Sequence, residues 1–285
     1  MLKECAVEPA VFAKKEHFRY FQEKFGVGEG RLISRYPKHW KNLVWKDCKS
    51  STASPMEKKW IEVRLSKLAG SKFLKTSRAY RESSGWLENV GVADREVEFD
   101  VIVTSEPYSN PRSVVAEEVD DATPVWNVPR DGTVPRTAAD LAGVASHLLC
   151  RASTILFVDQ HFKPEPRFRK PLVKFLEAAR RGKVPSRLEY HLNAVGTGHW
   201  FAEQMKDESA FLRLSSNEEI VFVRWASHGG DENMHARYVL TNRGGIGFDY
   251  GLDEGAGTTT WTRLSESLWE KRGLASTSRT LRFSR

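Results

Sequence analysis

Apolar and polar positions follow two different rhythms along this chain. The second half is the more regular. The run Thr154-Ile155-Leu156-Phe157-Val158 is continuous and apolar, as in a strand covered on both faces. Before it, Thr137 and Asp140 open a helix in capping-box fashion, with Leu141, Val144, Leu148 and Leu149 at helical spacing. After it, Leu172, Phe175, Leu176 and Ala179 predict a helix over 169–181. A short strand over 187–192, an amphipathic helix over 199–214 and a strand over 219–225 follow. Residues 233–242 then alternate: Met234, Ala236, Tyr238 and Leu240 against His235, Arg237, Val239 and Thr241. That alternation predicts a strand, and a further strand is predicted over 245–250. Strand and helix in this order make an α/β domain with a mixed sheet flanked by helices.

The first half reads less evenly. Val11, Phe18, Phe21 and Phe25 predict one helix over 7–25, with Gly26 as its cap. Residues 31–41 are basic and aromatic, broken by Pro37, and read as a loop. Ser54, Pro55 and Glu57 mark a helix start, followed by Trp60, Ile61, Leu65 and Leu68. Val97, Phe99, Val101 and Val103 predict a strand over 96–104. Residues 105–135 are rich in Pro, Ser, Asn and Asp and read as a linker. The expected organisation is a smaller, basic α+β domain over 1–130 and the α/β domain over 131–285.

Composition narrows the function. Hydrophobic residues at 40% and charged ones at 28% match a globular protein. No apolar run approaches bilayer-spanning length, and the first residues lack the apolar core of a signal peptide. Cys5, Cys48 and Cys150 are scattered, without metal-ligand spacing, and fit a reducing cytoplasm. The net charge of +7 favours a polyanionic partner, either nucleic acid or an acidic membrane surface. Arg35, Lys38 and Lys41, among Tyr36, Trp40 and Trp45, form one candidate surface for phosphate backbone. Lys72, Lys75 and Arg78 form a second. No Walker-type phosphate loop occurs, and Gly26-Val27-Gly28-Glu29-Gly30 follows a predicted helix, the wrong context for a dinucleotide fingerprint.

The sharpest chemistry lies in the His235 strand. Residues two apart on a strand share a face, so His235 and Arg237 stand side by side. An imidazole beside a guanidinium suits a phosphate: the ring attacks or protonates while the fork grips the oxygens. Asn242 follows five residues after Arg237, and Gly251-Leu252-Asp253 closes the next strand. This stretch resembles the phospholipase D superfamily motif, His-x-Lys with a later Asp. Within that superfamily it is similar to the phospholipase D-like domain at the C-terminus of MIT-domain proteins. The resemblance covers residues 137–285.

The resemblance implies covalent phosphodiester chemistry without a metal or other cofactor. One histidine attacks phosphorus and a second protonates the leaving oxygen. Here His235, Arg237 and Asn242 fill the motif positions, with Arg for Lys and Asn for Asp. Tyrosyl-DNA phosphodiesterases also lack that Asp. Asp159, His161 and Asp253 are supporting candidates, and Asp253 or Glu254 could orient His235. One motif is half of the family's site, so a homodimer is expected to supply the second. The MIT-type domains, by contrast, imply binding without hydrolysis. The expected function is a metal-independent phosphodiesterase or nuclease acting along nucleic acid, in a setting such as bacterial defence. The alternative is a binding module for acidic lipid headgroups or a partner protein, or a structural subunit of a larger complex.

Overall fold

In the computed structural model, residues 2–182, 184–194, 199–225, 237–273 and 279–284 are described. The chain divides into two compact units, residues 2–129 and residues 130–285.

The first unit is built on β1 (Lys3–Val7), β2 (Arg31–Ser34), β3 (Phe73–Leu74), β4 (Val101–Thr104) and β5 (Ser113–Val115). All four pairings are parallel, in the order β3-β2-β1-β4-β5. This is a parallel α/β sheet, where the sequence pattern led to an α+β expectation. Helices α1 (Pro9–Ala13), α2 (Lys15–Lys24), α3 (Trp40–Ser50), α4 (Pro55–Lys67) and α5 (Trp86–Glu96) lie in the connections from β1 to β4, and a loop links β4 to β5. Every residue of β2 and β4 is buried, so these strands lack the alternation that marks a half-exposed strand.

Three expectations change for local reasons. The helix expected over 7–25 is two helices meeting at Lys14, whose backbone is extended. Val11, Phe18, Phe21 and Phe25 still share one core. The expected loop over 31–41 contains β2, with Tyr36 and Trp40 buried. The strand expected over 96–104 starts only at Val101, because α5 runs to Glu96 and the Asp94 carboxylate accepts the Phe99 N–H at 2.8 Å, turning the chain. Part of the expected linker is core as well. Trp126 is fully buried, and the Arg31 guanidinium lies 4.4 Å over its ring.

The second unit contains β6 (Asp131–Pro135), α6 (Ala138–Leu149), β7 (Thr154–Val158), α7 (Pro166–Arg180), β8 (Arg187–Asn193), α8 (His199–Glu208) and β9 (Glu219–Trp225). It continues with β10 (Arg237–Thr241), β11 (Gly244–Phe248), β12 (Thr258–Arg263), α9 (Glu266–Gly273) and β13 (Arg279–Ser284). The strand order is β13-β9-β8-β7-β10-β11-β12-β6. Strands β7, β8 and β9 are mutually parallel, and the remaining pairings are antiparallel. The mixed sheet flanked by helices agrees with the expectation, and β10 is central within it.

The two faces of this sheet differ. Phe157, Tyr190 and Phe222 face α7 and α8, with Phe175 5.3 Å from Phe157 and Phe201 6.2 Å from Phe222. Leu156, Leu240 and Leu264 form a smaller cluster on the other face, under Trp269 of α9. Stripping an aromatic such as Phe157 to alanine would cost about 3–5 kcal/mol.

Candidate functional site

The candidate site lies where β7 ends, beside Arg237 of β10. Register fixes which side chains can meet there. Val239 pairs with Phe157 and shares its buried, helix-covered face. Arg237, two residues earlier on β10, is on that same face. His235 lies outside the described residues.

Asp159 follows β7 and is 1% exposed. Its Oδ1 accepts the His161 backbone N–H at 3.0 Å, and its Oδ2 accepts that of Leu252 at 2.9 Å. Burial pushes its pKa above the usual carboxylate value, and nearby Asp253 adds to the rise. The two backbone donors and the Arg237 charge oppose it. Arg237 is therefore within electrostatic reach of a buried carboxyl group.

The turn after β11 supplies the second carboxylate. Asp253 is 7% exposed and accepts Arg136 at 2.8 Å, with Arg167 3.7 Å from its other oxygen. Glu254 accepts the Ala138 N–H at the start of α6 at 3.2 Å and pairs with Lys170, also at 3.2 Å. A helix start favours such a carboxylate. Gly251 has φ +139°, and a β-carbon there would fall 2.6 Å from Asp253 Oδ1 and 3.3 Å from Asp159 Oδ2. A β-carbon at Gly255 would fall 2.7 Å from the Arg136 guanidinium carbon. The glycines let the backbone pass against the charges. The result is a packed edge on which Arg136, Arg167, Lys170 and Arg237 gather around Asp159, Asp253 and Glu254.

The other expected residues are placed as follows. Asn242 follows β10, beyond the end of the strand opposite Arg237. Its carboxamide oxygen accepts the backbone N–H groups of Ser153 at 2.9 Å and Thr154 at 3.2 Å, which ties down the start of β7. His161 touches Asp159 through its backbone, while its exposed ring lies 3.1 Å from the Gln160 carboxamide. His191 pairs with Val158, across from Tyr238, and so sits on the face opposite Arg237. There it meets Glu189 at 2.8 Å and accepts the Trp225 indole N–H at 3.0 Å. Burial lowers its pKa, and Glu189 partly offsets that.

The basic candidates of the first unit separate into two groups. Arg35, Lys38 and Lys75 are exposed where β2 and β3 end, Arg35 being joined to Leu74 through its backbone N–H. Lys41, Lys72 and Arg78 are engaged internally. Lys41 donates to the Leu68 carbonyl at 2.9 Å, and burial followed by the Arg35 charge lowers its pKa. Lys72 donates to the carbonyls of Gln22 and Phe25. Arg78 lies 3.8 Å over the Phe99 ring and pairs with Glu4 at 3.3 Å. Among the described residues, no group of three or more His, Cys, Asp or Glu could hold a metal ion. No helix of the described residues is long and apolar enough to cross a membrane.

Sequence reading misses Arg136, Arg167 and Lys170, which come from the start of α6 and from α7. Their signal is weak: each is a basic residue close to a helix start, a common position. The Gly251-to-Gly255 spacing around Asp253 and Glu254 is the better clue.

No family model matches the chain, and no curated protein matches it. Among solved structures, it is similar to TrmBL2, an archaeal chromatin protein whose structure shows a novel mode of DNA binding. That similarity has 11% identity and a TM-score of 0.27, and covers 55% of this chain and 54% of the other, about half the length of each.

Proposed function

We propose that the second unit is a phospholipase D-like phosphate site acting on the backbone of nucleic acid. The observation that supports this reading best is the position of Arg237. It lies on the central strand β10, on the face of the buried Asp159, at the edge where the parallel strands β7, β8 and β9 end. Open α/β sheets bind ligands at that edge. A guanidinium there grips two phosphate oxygens, and a nearby carboxyl group holds it in place.

Hydrolysis by this site would start at His235. Its ring nitrogen would form a bond to phosphorus as the bond to the leaving oxygen breaks. That oxygen needs a proton, and the phosphohistidine then needs an activated water. His191 is on the wrong face for either task, and the exposed ring of His161 rests against Gln160. A second copy of the chain would supply a second His235. This arrangement favours phosphate binding by the single chain, with turnover only in a dimer.

The test is binding of fluorescent single-stranded DNA and RNA across a salt series, with cleavage followed in EDTA. Affinity should fall log-linearly with salt. Arg237→Ala should weaken binding about tenfold or more, with partial recovery in Arg237→Lys. His235→Ala should abolish any cleavage and leave affinity within about twofold. Binding to acidic liposomes with no affinity for either oligonucleotide would replace this reading with the lipid-headgroup one.

A further inference from the structure

A groove of about 640 Å³ lies on the second unit between the start of α6, the side of α7 and the turn that follows Ser209–Leu212. Its volume is within the range of ligand pockets. Arg169, Lys170, Lys174 and Arg213 line it, together with Val173 and Phe211.

Three features give the groove its character. First, the Arg169 guanidinium lies 5.4 Å from the centre of the Phe211 ring, a cation–aromatic pair at the groove wall. Second, Arg213 has φ +48°, a left-handed conformation unusual for a side chain of its size. The structure around it fixes that conformation. Arg180 donates to the Leu212 and Arg213 carbonyls at 3.3 and 3.2 Å and holds Glu218 through two bonds of 2.8 and 2.9 Å. Glu218 in turn accepts the Ser215 N–H at 2.9 Å. A backbone held off its preferred conformation by a partly buried clamp is a recurrent mark of a functional position. Third, the paired cations are themselves half or more exposed. Lys174–Glu177 at 2.7 Å is a solvated pair worth little, and Lys170, 3.2 Å from the partly buried Glu254, keeps most of its ammonium in solvent.

We propose that this groove binds a segment of single-stranded nucleic acid. Backbone phosphates would meet Lys170, Lys174 and Arg213, and a base would stack on the Arg169–Phe211 pair. The proposal rests on the phosphate-site reading and extends it. The groove and the charged edge share Lys170 and Glu254, so the two sites adjoin. A target that reaches both is a strand of several nucleotides. An acidic peptide would satisfy the cations but would not use the aromatic ring.

The experiment uses the whole chain and a fluorescent 15-nucleotide single-stranded DNA, with anisotropy read across a salt series. Lys174→Glu with Arg213→Glu should weaken binding about 30-fold or more and reduce the salt slope by about two. Phe211→Ala should weaken binding and leave the slope unchanged. Circular dichroism and the thermal midpoint confirm folding, and Lys174→Gln with Arg213→Gln serves if the reversal variant does not fold. Unchanged affinity and slope in the folded double variant would overturn the proposal. So would competition by polyglutamate at equal charge concentration together with normal binding by Phe211→Ala, which would make the groove an acidic-peptide site. Loss in the groove variants with normal binding by Arg237→Ala would keep the groove and reject the Arg237 site. The reverse pattern would keep that site and reject the groove.

Discussion

Asp159 and Asp253 converge on the same glycine, their oxygens 3.3 and 2.6 Å from where the Gly251 β-carbon would be. Two carboxyl groups from distant parts of the chain thus meet over a position without a side chain. Gly251→Ala adds a methyl group to this space and forces a non-glycine residue to φ +139°. It should cost about 2–4 kcal/mol. Urea unfolding of the wild type and variant measures this, and an unchanged midpoint would show that the turn relaxes freely.

Asn242→Ala removes the acceptor of two backbone N–H groups, those of Ser153 and Thr154. A loss of about 1 kcal/mol is expected. Asn242→Asp keeps an acceptor and should stay near wild-type stability. Neither variant should shift oligonucleotide affinity by more than about twofold, since the side chain is at the far end of β10 from Arg237. A large affinity loss with normal stability would return Asn242 to the phosphate site.

Arg78 and Lys75 should behave as opposites. Arg78→Ala strips Glu4 of a partner inside the first unit, where both side chains are at most 10% exposed. The expected cost is about 3–5 kcal/mol. Lys75 is exposed, so Lys75→Ala should change stability by less than about 0.5 kcal/mol. If the first unit contacts nucleic acid, Lys75→Ala should lower the salt slope by about one. Equal destabilisation by the two changes would contradict the internal role of Arg78.

His191 gives the second unit an acid-side weakness. Burial lowers its folded pKa below the unfolded value of about 6.5, so in the window between the two the unfolded chain holds a proton that the folded chain does not. Stability should therefore fall as pH drops through that window and be fully present above it. Glu189, whose pKa is also lowered, acts in a separate window, with its contribution lost as pH falls below about 4.5. Urea midpoints at pH 7.5, 6.5 and 5.5 should decline in the wild type and flatten in His191→Gln. The same slope in both proteins would remove His191 as the cause.

The second unit was the more legible in sequence because its helices and its apolar strand runs differ in period. Ile155 to Val158 and the alternation through Leu240 marked two neighbouring strands correctly. The first unit hid its strands. Leu32 and Ile33 are a short run buried on both faces, without an alternating pattern, while Val101 to Val103 fell inside a strand expected to start too early. Val97 completes an alternating pattern on paper yet is 62% exposed just beyond α5. The site was legible only where its residues are local. Arg237 and Asp253 stood out, whereas Arg136 meets Asp253 across 117 positions, a pairing no local pattern encodes.

β1 has a consequence for the order in which this chain can fold. It is made by residues 3–7 yet lies third of five in its sheet, between β2 and β4. During synthesis it emerges ahead of the other strands of its sheet and must wait for residues 101–104 before its second edge is covered. Until then an apolar strand with an open edge is available to any neighbouring chain. Shortening the chain by its first ten residues would remove the shared partner of β2 and β4 and leave two half-sheets. β6, the first strand of the second unit, forms an outer edge, and its loss would expose only β12.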